Sequence, residues 1–241
     1  MKAKISYTAR YLPERVLTNF DLEKMVDTTD EWIRSRTGIE KRHLVGEGEA
    51  TSDMCTMIAK QLLEKSGKAP EEIDLILIAT STPDYMVVST AALVQDKIGA
   101  INAWGYDIVA ACTGFVYAME TGSKLVESGQ YKNAMVIGAD TMSSIIDYTD
   151  RNTCVIFGDG GGGVLLEPSK DETGILDSIL HVDGSGSKYL TVPAGGSLHP
   201  ASKDTVDKKM HYVYQDGKTV FKFAVKNMAD VSKRILDRNQ L

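Results

Sequence analysis

Cys112 sits in the stretch DIVAACTGFVYAME, Asp107 to Glu120, where an apolar run gives way to a helical pattern. A cysteine at such a junction meets the unsatisfied backbone N–H groups and positive dipole end of the helix, both of which favour a thiolate. The small neighbours Ala110, Ala111, Thr113 and Gly114 leave room for a carbonyl carbon to approach the sulfur. Adjacent N–H groups could receive the oxyanion that forms there. Packing is the competing explanation, because cysteine is among the residue types most often buried, and position alone favours it. Cys55, inside a predicted helix, and Cys154, in a predicted strand, lack the special position and read as core.

Other chemistries find less support. The three cysteines are odd in number and far apart, with no CxxC pair and no histidine at metal-ligand spacing, so neither disulfides nor a metal site is expected. The glycine run in CVIFGDGGGGVLLEP, 154 to 168, lacks the GK[ST] ending of a phosphate loop. It reads as a tight turn joining two short apolar strands.

The elements that must position Cys112 follow from periodicity. Met54, Ile58 and Leu62 form one apolar line over 52 to 66, a helix that Gly67 stops. A buried strand is predicted at IDLILIATS, 73 to 81, and a helix over 89 to 98. Phe115, Ala118, Met119, Gly122, Leu125 and Val126 repeat at three and four, giving a helix from 113 to 128 that Gly129 ends. A strand follows from 133. Apolar β-branched runs alternating with helices indicate an α/β arrangement with mostly parallel strands. The polar segment EPSKDETG marks the boundary between a first half, 1–170, and a second, 171–241. In the latter GILDSILHVDG resembles a strand, 183 to 209 a long loop, and 218 to 238 a helix with Val220, Phe221, Ala224, Met228, Val231 and Ile235 on one side.

Composition narrows the class. The 241 residues are 43% hydrophobic, enough for a substantial core. Interspersed charges, 27 basic against 33 acidic for a net of -6, argue against nucleic acid as a partner. The apolar runs are far shorter than the roughly 20 residues of a membrane span. MKAKISYTARYLPERV has no continuous apolar signal core, so a cytoplasmic location is expected.

The motifs taken together are more specific. VAACTGFVYAME closely resembles the nucleophile motif of the β-ketoacyl-acyl-carrier-protein synthase III family, within the thiolase superfamily. TTDEWIRSRTGIEKRH, 28 to 43, resembles its N-terminal signature, RNTCVIFGDGGGGVLL, 151 to 166, its glycine-rich region, and DGKTVFKFAV, 216 to 225, its later helix start. The opening YLPERVLTNFDLEKMVDT fits as well. The resemblance implies a layered αβαβα thiolase-like fold of two similar halves and a homodimer. It also implies Cys112 as acyl acceptor and Trp32, Arg36, Thr37 and Arg151 as contacts for coenzyme A. Ile156, Phe157, Gly217, Phe221 and Ala224 match positions lining the pantetheine and acyl tunnel. The implied substrates are an acyl-CoA and malonyl-acyl carrier protein; the coenzyme A thioester is a substrate, and no separate cofactor is expected.

Two departures stand out. Family members complete the site with a histidine, in a motif like HQAN, and an asparagine followed by a small hydroxyl residue, and this sequence contains neither motif. RILDRNQL resembles the helix before the histidine loop, so the C-terminal half is expected to be incomplete and condensation by this chain alone weak or absent. His43, His181, His199 and His211 each read as structural or solvated rather than as substitutes. In DYMVVSTAA, Val88 stands where the family commonly has proline, and Val87 lies near the position that shapes the acyl pocket across a dimer interface, leaving primer preference open. Two alternatives remain: a non-catalytic, truncated or split subunit that dimerises or binds acyl-CoA, and another CoA-linked condensing enzyme of the same fold.

Overall fold

A computed structural model describes residues 1–171 and 173–241. In chain order the strands are β1 (Ala3–Tyr11), β2 (Arg15–Thr18), β3 (Lys41–Leu44), β4 (Leu75–Ala79), β5 (Trp104–Ile108), β6 (Ala134–Asp140), β7 (Gly160–Pro168), β8 (Leu190–Thr191) and β9 (Tyr214–Gln215). The helices are α1 (Asn19–Leu22), α2 (Asp30–Thr37), α3 (Thr51–Ser66), α4 (Thr90–Ile98), α5 (Gly114–Glu127), α6 (Arg151–Cys154), α7 (Lys203–Asp207) and α8 (Gly217–Asn239). The helices predicted over 52 to 66, 89 to 98, 113 to 128 and 218 to 238 are all present, as are the strands at 73 to 81 and 133 onward. No helix among the described residues is long and apolar enough to cross a membrane.

The chain divides into two interleaved compact units. One comprises Met1–Arg15, His43–Thr141 and Asp159–Leu176; the other Val16–Arg42, Met142–Gly158 and Asp177–Leu241. The consecutive division at 170 is therefore not how the contacts partition. One early segment and one past the middle of the chain cluster with the C-terminal residues, a long-range assembly to which a local change of composition is blind.

The first unit is built on a sheet of order β1-β7-β6-β4-β5. β4 runs parallel to β5 and β6, while β7 is antiparallel to both β6 and β1. Every residue of β4 is buried. Its alternation splits the core in two: Ile76 and Ile78 face Met54, Ile58 and Leu62 of α3 and Val94 of α4. Leu75, Leu77 and Ala79 face Ala118 and Val126 of α5. Covered on both faces, the strand reads as a continuous apolar run.

The glycine run differs from its predicted form. Gly160–Gly163 lies within β7, paired with β6 on one side and, from Gly161, with β1 on the other, and CVIF contains the end of α6 rather than a strand. The reason is close packing: a Cβ on Gly161 would lie 2.8 Å from Ile58 Cδ1, and one on Gly163 2.8 Å from Ile58 Cγ2. The absent side chains let α3 settle onto the sheet.

The second unit has its own apolar cluster: Leu22, Ile33, Ile146, Cys154, Val155 and Val213, flanked by half-buried Trp32, Tyr148, Ile156 and Phe157. Its residues 177–183 form no strand, contrary to expectation, because no neighbouring strand pairs with them. Asp177 instead accepts hydrogen bonds from Arg238 and Asn239 at the end of α8. The region read as a loop from 183 carries a 3-10 turn at Gly184–Tyr189, β8 paired with β9, and α7. On α8, Val220, Ala224, Val231 and Ile235 are half-buried, whereas Phe221 and Met228 of the predicted apolar side are exposed.

Candidate functional site

Cys112 lies where β5 gives way to α5, at the C-terminal edge of the parallel strands, the edge at which open α/β sheets bind ligands. After Ile108 the chain turns through a 3-10 segment, Ala111–Thr113, into α5. Ala111 takes a left-handed conformation, φ 45°, which costs an L-residue with a Cβ on the order of 1 kcal/mol. The turn is held by Thr113, whose N–H and hydroxyl both donate to the Ala110 carbonyl, at 3.1 and 2.8 Å. Gly114 completes it: a Cβ there would stand 3.2 Å from that of Ala79 at the end of β4, so a small residue lets the first turn of α5 meet the sheet. Cys112 is exposed, while Cys55 and Cys154 are buried as predicted, and all three thiols are free.

Two carboxylates that the sequence reading passed over fix this edge. Asp107 accepts the N–H groups of Thr90 and Ala91 at 2.6 and 2.9 Å, tying β5 to the start of α4. Asp140 Oδ1 accepts from the Ser81 N–H at 2.7 Å and from the hydroxyls of Thr80 and Thr82 at 3.1 and 3.0 Å, tying β6 to the loop after β4. Their signal is an acidic residue at the last or next-to-last position of a strand, in GAD and in YDI. The two charge-assisted clamps make a rigid platform from the ends of β4, β5 and β6.

In the second unit the structure gathers three of the predicted residues. Trp32 occupies the first turn of α2, which Thr29 caps by accepting the Trp32 N–H at 3.1 Å. The Arg151 guanidinium carbon lies 4.3 Å from the centre of the indole, and that of Arg36, one turn along α2, lies 5.2 Å from it. Two guanidiniums around one aromatic ring repel each other unless an anion lies nearby, and a flat ring edged with cations suits a phosphorylated purine. Arg151 Nε is buried with no hydrogen-bond partner among the described residues.

The other candidates fall in three groups. Thr37 spends its hydroxyl on the end of α2, donating to Ile33 O at 2.7 Å and accepting from the Ile39 N–H at 3.0 Å. Ile156 and Phe157 follow α6 and join the cluster that supports Trp32. Gly217, Phe221 and Ala224 lie on α8; β9, which packs against α6, ends two residues before Gly217. A Cβ on Gly217 would meet nothing within 4 Å, so packing does not explain glycine there. Near these residues the sequence reading missed a cavity of about 360 Å³, lined by the 3-10 turn and by Thr219, Val220 and Phe223 of α8. Of the histidines, His43 Nδ1 lies 2.6 Å from Pro13 O and His211 Nε2 lies 2.9 Å from Thr205 Oγ1.

Comparison with known proteins adds independent findings. A family model described as 3-oxoacyl-[acyl-carrier-protein] synthase III matches residues 106–184, a range that includes Cys112 and Arg151. The β-ketoacyl-[acyl-carrier-protein] synthase III of Koribacter versatilis is 55% identical over 242 residues, covering 100% of this chain and 73% of that protein. The corresponding protein of Chlorobium luteolum is 59% identical over 244 residues, with 100% and 74% covered. The crystal structure of 3-oxoacyl-[acyl-carrier-protein] synthase III from Aquifex aeolicus matches with a TM-score of 0.88 at 41% identity, over 99% of this chain and 72% of that one. The thiolase-like α/β architecture implied by the sequence is thereby established.

Proposed function

The chain belongs to the β-ketoacyl-acyl-carrier-protein synthase III family of enzymes, and on that premise we propose that it is an initiating condensing enzyme of type II fatty acid synthesis that accepts its acyl group on Cys112. The observation that carries the reading is an exposed cysteine directly after a left-handed residue, on a clamped strand-to-helix turn. In the first half-reaction the Cys112 thiolate attacks the thioester carbonyl of an acyl-CoA. The resulting oxyanion collapses, the bond to the coenzyme A sulfur breaks, and coenzyme A leaves as a thiolate that takes a proton from solvent. Trp32, Arg36 and Arg151 hold the nucleotide end of that donor, Thr37 secures the end of the helix that carries two of them, and Ile156, Phe157, Gly217, Phe221 and Ala224 line the path of its pantetheine arm.

In the second half-reaction malonyl-acyl carrier protein loses CO2, and the carbanion at its C2 attacks the acyl carbon, expelling the Cys112 thiolate. This step needs donors that stabilise enolate charge. The family supplies them from its histidine and asparagine motifs, which these 241 residues do not contain. Acylation is therefore the half-reaction to test. Incubation with acetyl-CoA followed by peptide mass spectrometry should find one acetyl group on Cys112. An acetyl group retained by Cys112→Ala, or a protein that binds coenzyme A but never acylates, would sink the assignment. The latter outcome would favour a non-catalytic acyl-CoA-binding subunit. Comparing malonyl-CoA with malonyl-acyl carrier protein as acceptor separates a CoA-linked condensation outside fatty acid synthesis.

A homodimer fits the first unit. β5 is an edge strand with exposed Trp104 and Tyr106, and the nearby sequence Tyr85 to Val88 is exposed, Val87 at 95%. Such an edge invites pairing with another strand. Sedimentation should show a dimer that Tyr106→Lys weakens. Three free thiols suit a reducing cytoplasm.

A further inference from the structure

Arg42 is a charged residue in an unexpected place. In the sequence it belongs to EKRH, which looks like a solvated run, yet it is only 3% exposed. No carboxylate pairs with it among the described residues. Its guanidinium instead makes two directional hydrogen bonds, Nη1 to Asn19 Oδ1 and Nη2 to the carbonyl oxygen of Val155. Its Nε finds no partner among the described residues. Burying a guanidinium without a counter-ion is costly, and an apolar side chain of similar volume would fill the space more cheaply. The bonds it makes account for its presence.

Each bond leads to the Trp32 and Arg151 stack. Val155 caps the C-terminus of α6, one turn after Arg151. Asn19, at the other end of the guanidinium, donates from Nδ2 to Asp30 Oδ1 and to Ile39 O, both at 2.8 Å. Asp30 opens α2 two residues before Trp32, and Ile39 follows its C-terminal Gly38. A single chain of hydrogen bonds thus grips α2 at both ends, passes through Asn19 and Arg42, and holds the exit of α6. It fixes how far the indole stands from the guanidinium that covers it.

We propose that Arg42, acting through Asn19 and Val155, is a positioning residue that sets the spacing of the Trp32–Arg151 clamp and thereby the affinity for the nucleotide end of the acyl donor. The inference rests on the reading of that clamp as the coenzyme A site. A planar fork is what the geometry demands: lysine keeps the charge, but its lone ammonium cannot serve the carboxamide and the carbonyl in their fixed directions.

The experiment uses the full chain and the variants R42K, R42M and W32A. Coenzyme A binding is measured by calorimetry. The rate constant for acylation of Cys112 is measured with acetyl-CoA and with the acetyl thioester of N-acetylcysteamine, which has no nucleotide. R42K and R42M are expected to weaken coenzyme A binding about tenfold and to reduce the preference for acetyl-CoA over the short thioester by a similar factor. Simple destabilisation would lower both acylation rates together and leave that preference intact, and this result overturns the proposal. So does equal loss of coenzyme A affinity in I146V, a core substitution in the same apolar cluster that removes no hydrogen-bonding group. Parent-like coenzyme A binding by R42K and R42M, where W32A binds weakly, overturns the brace alone. If W32A itself binds as the parent does, the reading of the clamp falls and the brace with it.

Discussion

The Arg151 guanidinium lies 4.3 Å from the centre of the Trp32 indole, closer than the 5.2 Å of Arg36 on the same helix as the ring. The nearer cation comes from a segment more than a hundred residues away in sequence. It is half-buried while Arg36 is exposed, so the two should differ in energy. Arg151→Ala is expected to cost about 1–2 kcal/mol of coenzyme A affinity and Arg36→Ala about half that, read by calorimetry. Both contributions should shrink as salt is raised, the exposed one first. Equal losses for the two would contradict the ordering.

Thiol chemistry should single out Cys112. Burial pushes the Cys55 and Cys154 thiols up, keeping them protonated and out of reach. Alkylation of the native protein by iodoacetamide should mark Cys112 first, with the other two labelled only on unfolding. Cys112→Ala should change stability by less than about 0.5 kcal/mol, as expected for an exposed side chain. Cys55→Ser places a hydroxyl in a sealed core and should cost roughly 1–3 kcal/mol in a urea titration.

Glycine in β7 should resist even a methyl group. At Gly163 a Cβ would lie 2.8 Å from both Ile137 Cγ1 and Ile58 Cγ2. Gly163→Ala is expected to destabilise by about 1–3 kcal/mol. Ile58→Ala, which removes the obstructing Cγ2 methyl, should therefore cost less in the Gly163→Ala chain than in the parent. Additive effects of the two substitutions would show that the clash is relieved elsewhere.

Acid should loosen the second unit through Asp147. The hydrogen bond from Lys209 Nζ, at 2.8 Å, is the main reason its carboxyl is held at about 2 instead of 3.8; Thr149 adds to it and partial burial opposes it. The folded value lies below the unfolded one, so the unfolded chain takes up the proton first. The stabilisation is present above about pH 4 and disappears as pH falls through about 2. Asp147→Asn should therefore lose less of its urea midpoint than the parent between about pH 5 and about pH 3. Lys209, held left-handed at φ 54°, should show the same flattening when replaced by alanine.

What the sequence revealed and what it hid have physical reasons. LILIA announced a strand covered on both faces, and Met54, Ile58 and Leu62 announced the helix that covers one of them, because burial imposes a period on side chains. The seam at Cys112 was legible for the same reason, since periodicity changes there. Gly160–Gly163 gave no period because it has no side chains, and a turn was the natural reading of residues whose actual use is thinness. GILDSILHVDG carries strand-like composition but has no partner strand. Arg42, Asp107 and Asp140 were invisible as fixed points because a charged residue is ordinarily solvated. Their burial or capping depends on segments far away in sequence. The resemblance of the motifs named Trp32 and Arg151 together, whereas local pattern alone offered no link between them.

The placement of β1 in the sheet also bears on the order in which the molecule can assemble. β1 pairs with β7, Ala3 opposite Pro168 and Tyr11 opposite Gly161, so this strand must wait through synthesis of β4, β5 and β6 before its partner exists. Until then it presents unpaired backbone to every nascent neighbour, and closing so long a loop is slow. Completion of the sheet by β7 is thus the event that ends the protein's vulnerability to misassociation during its own production.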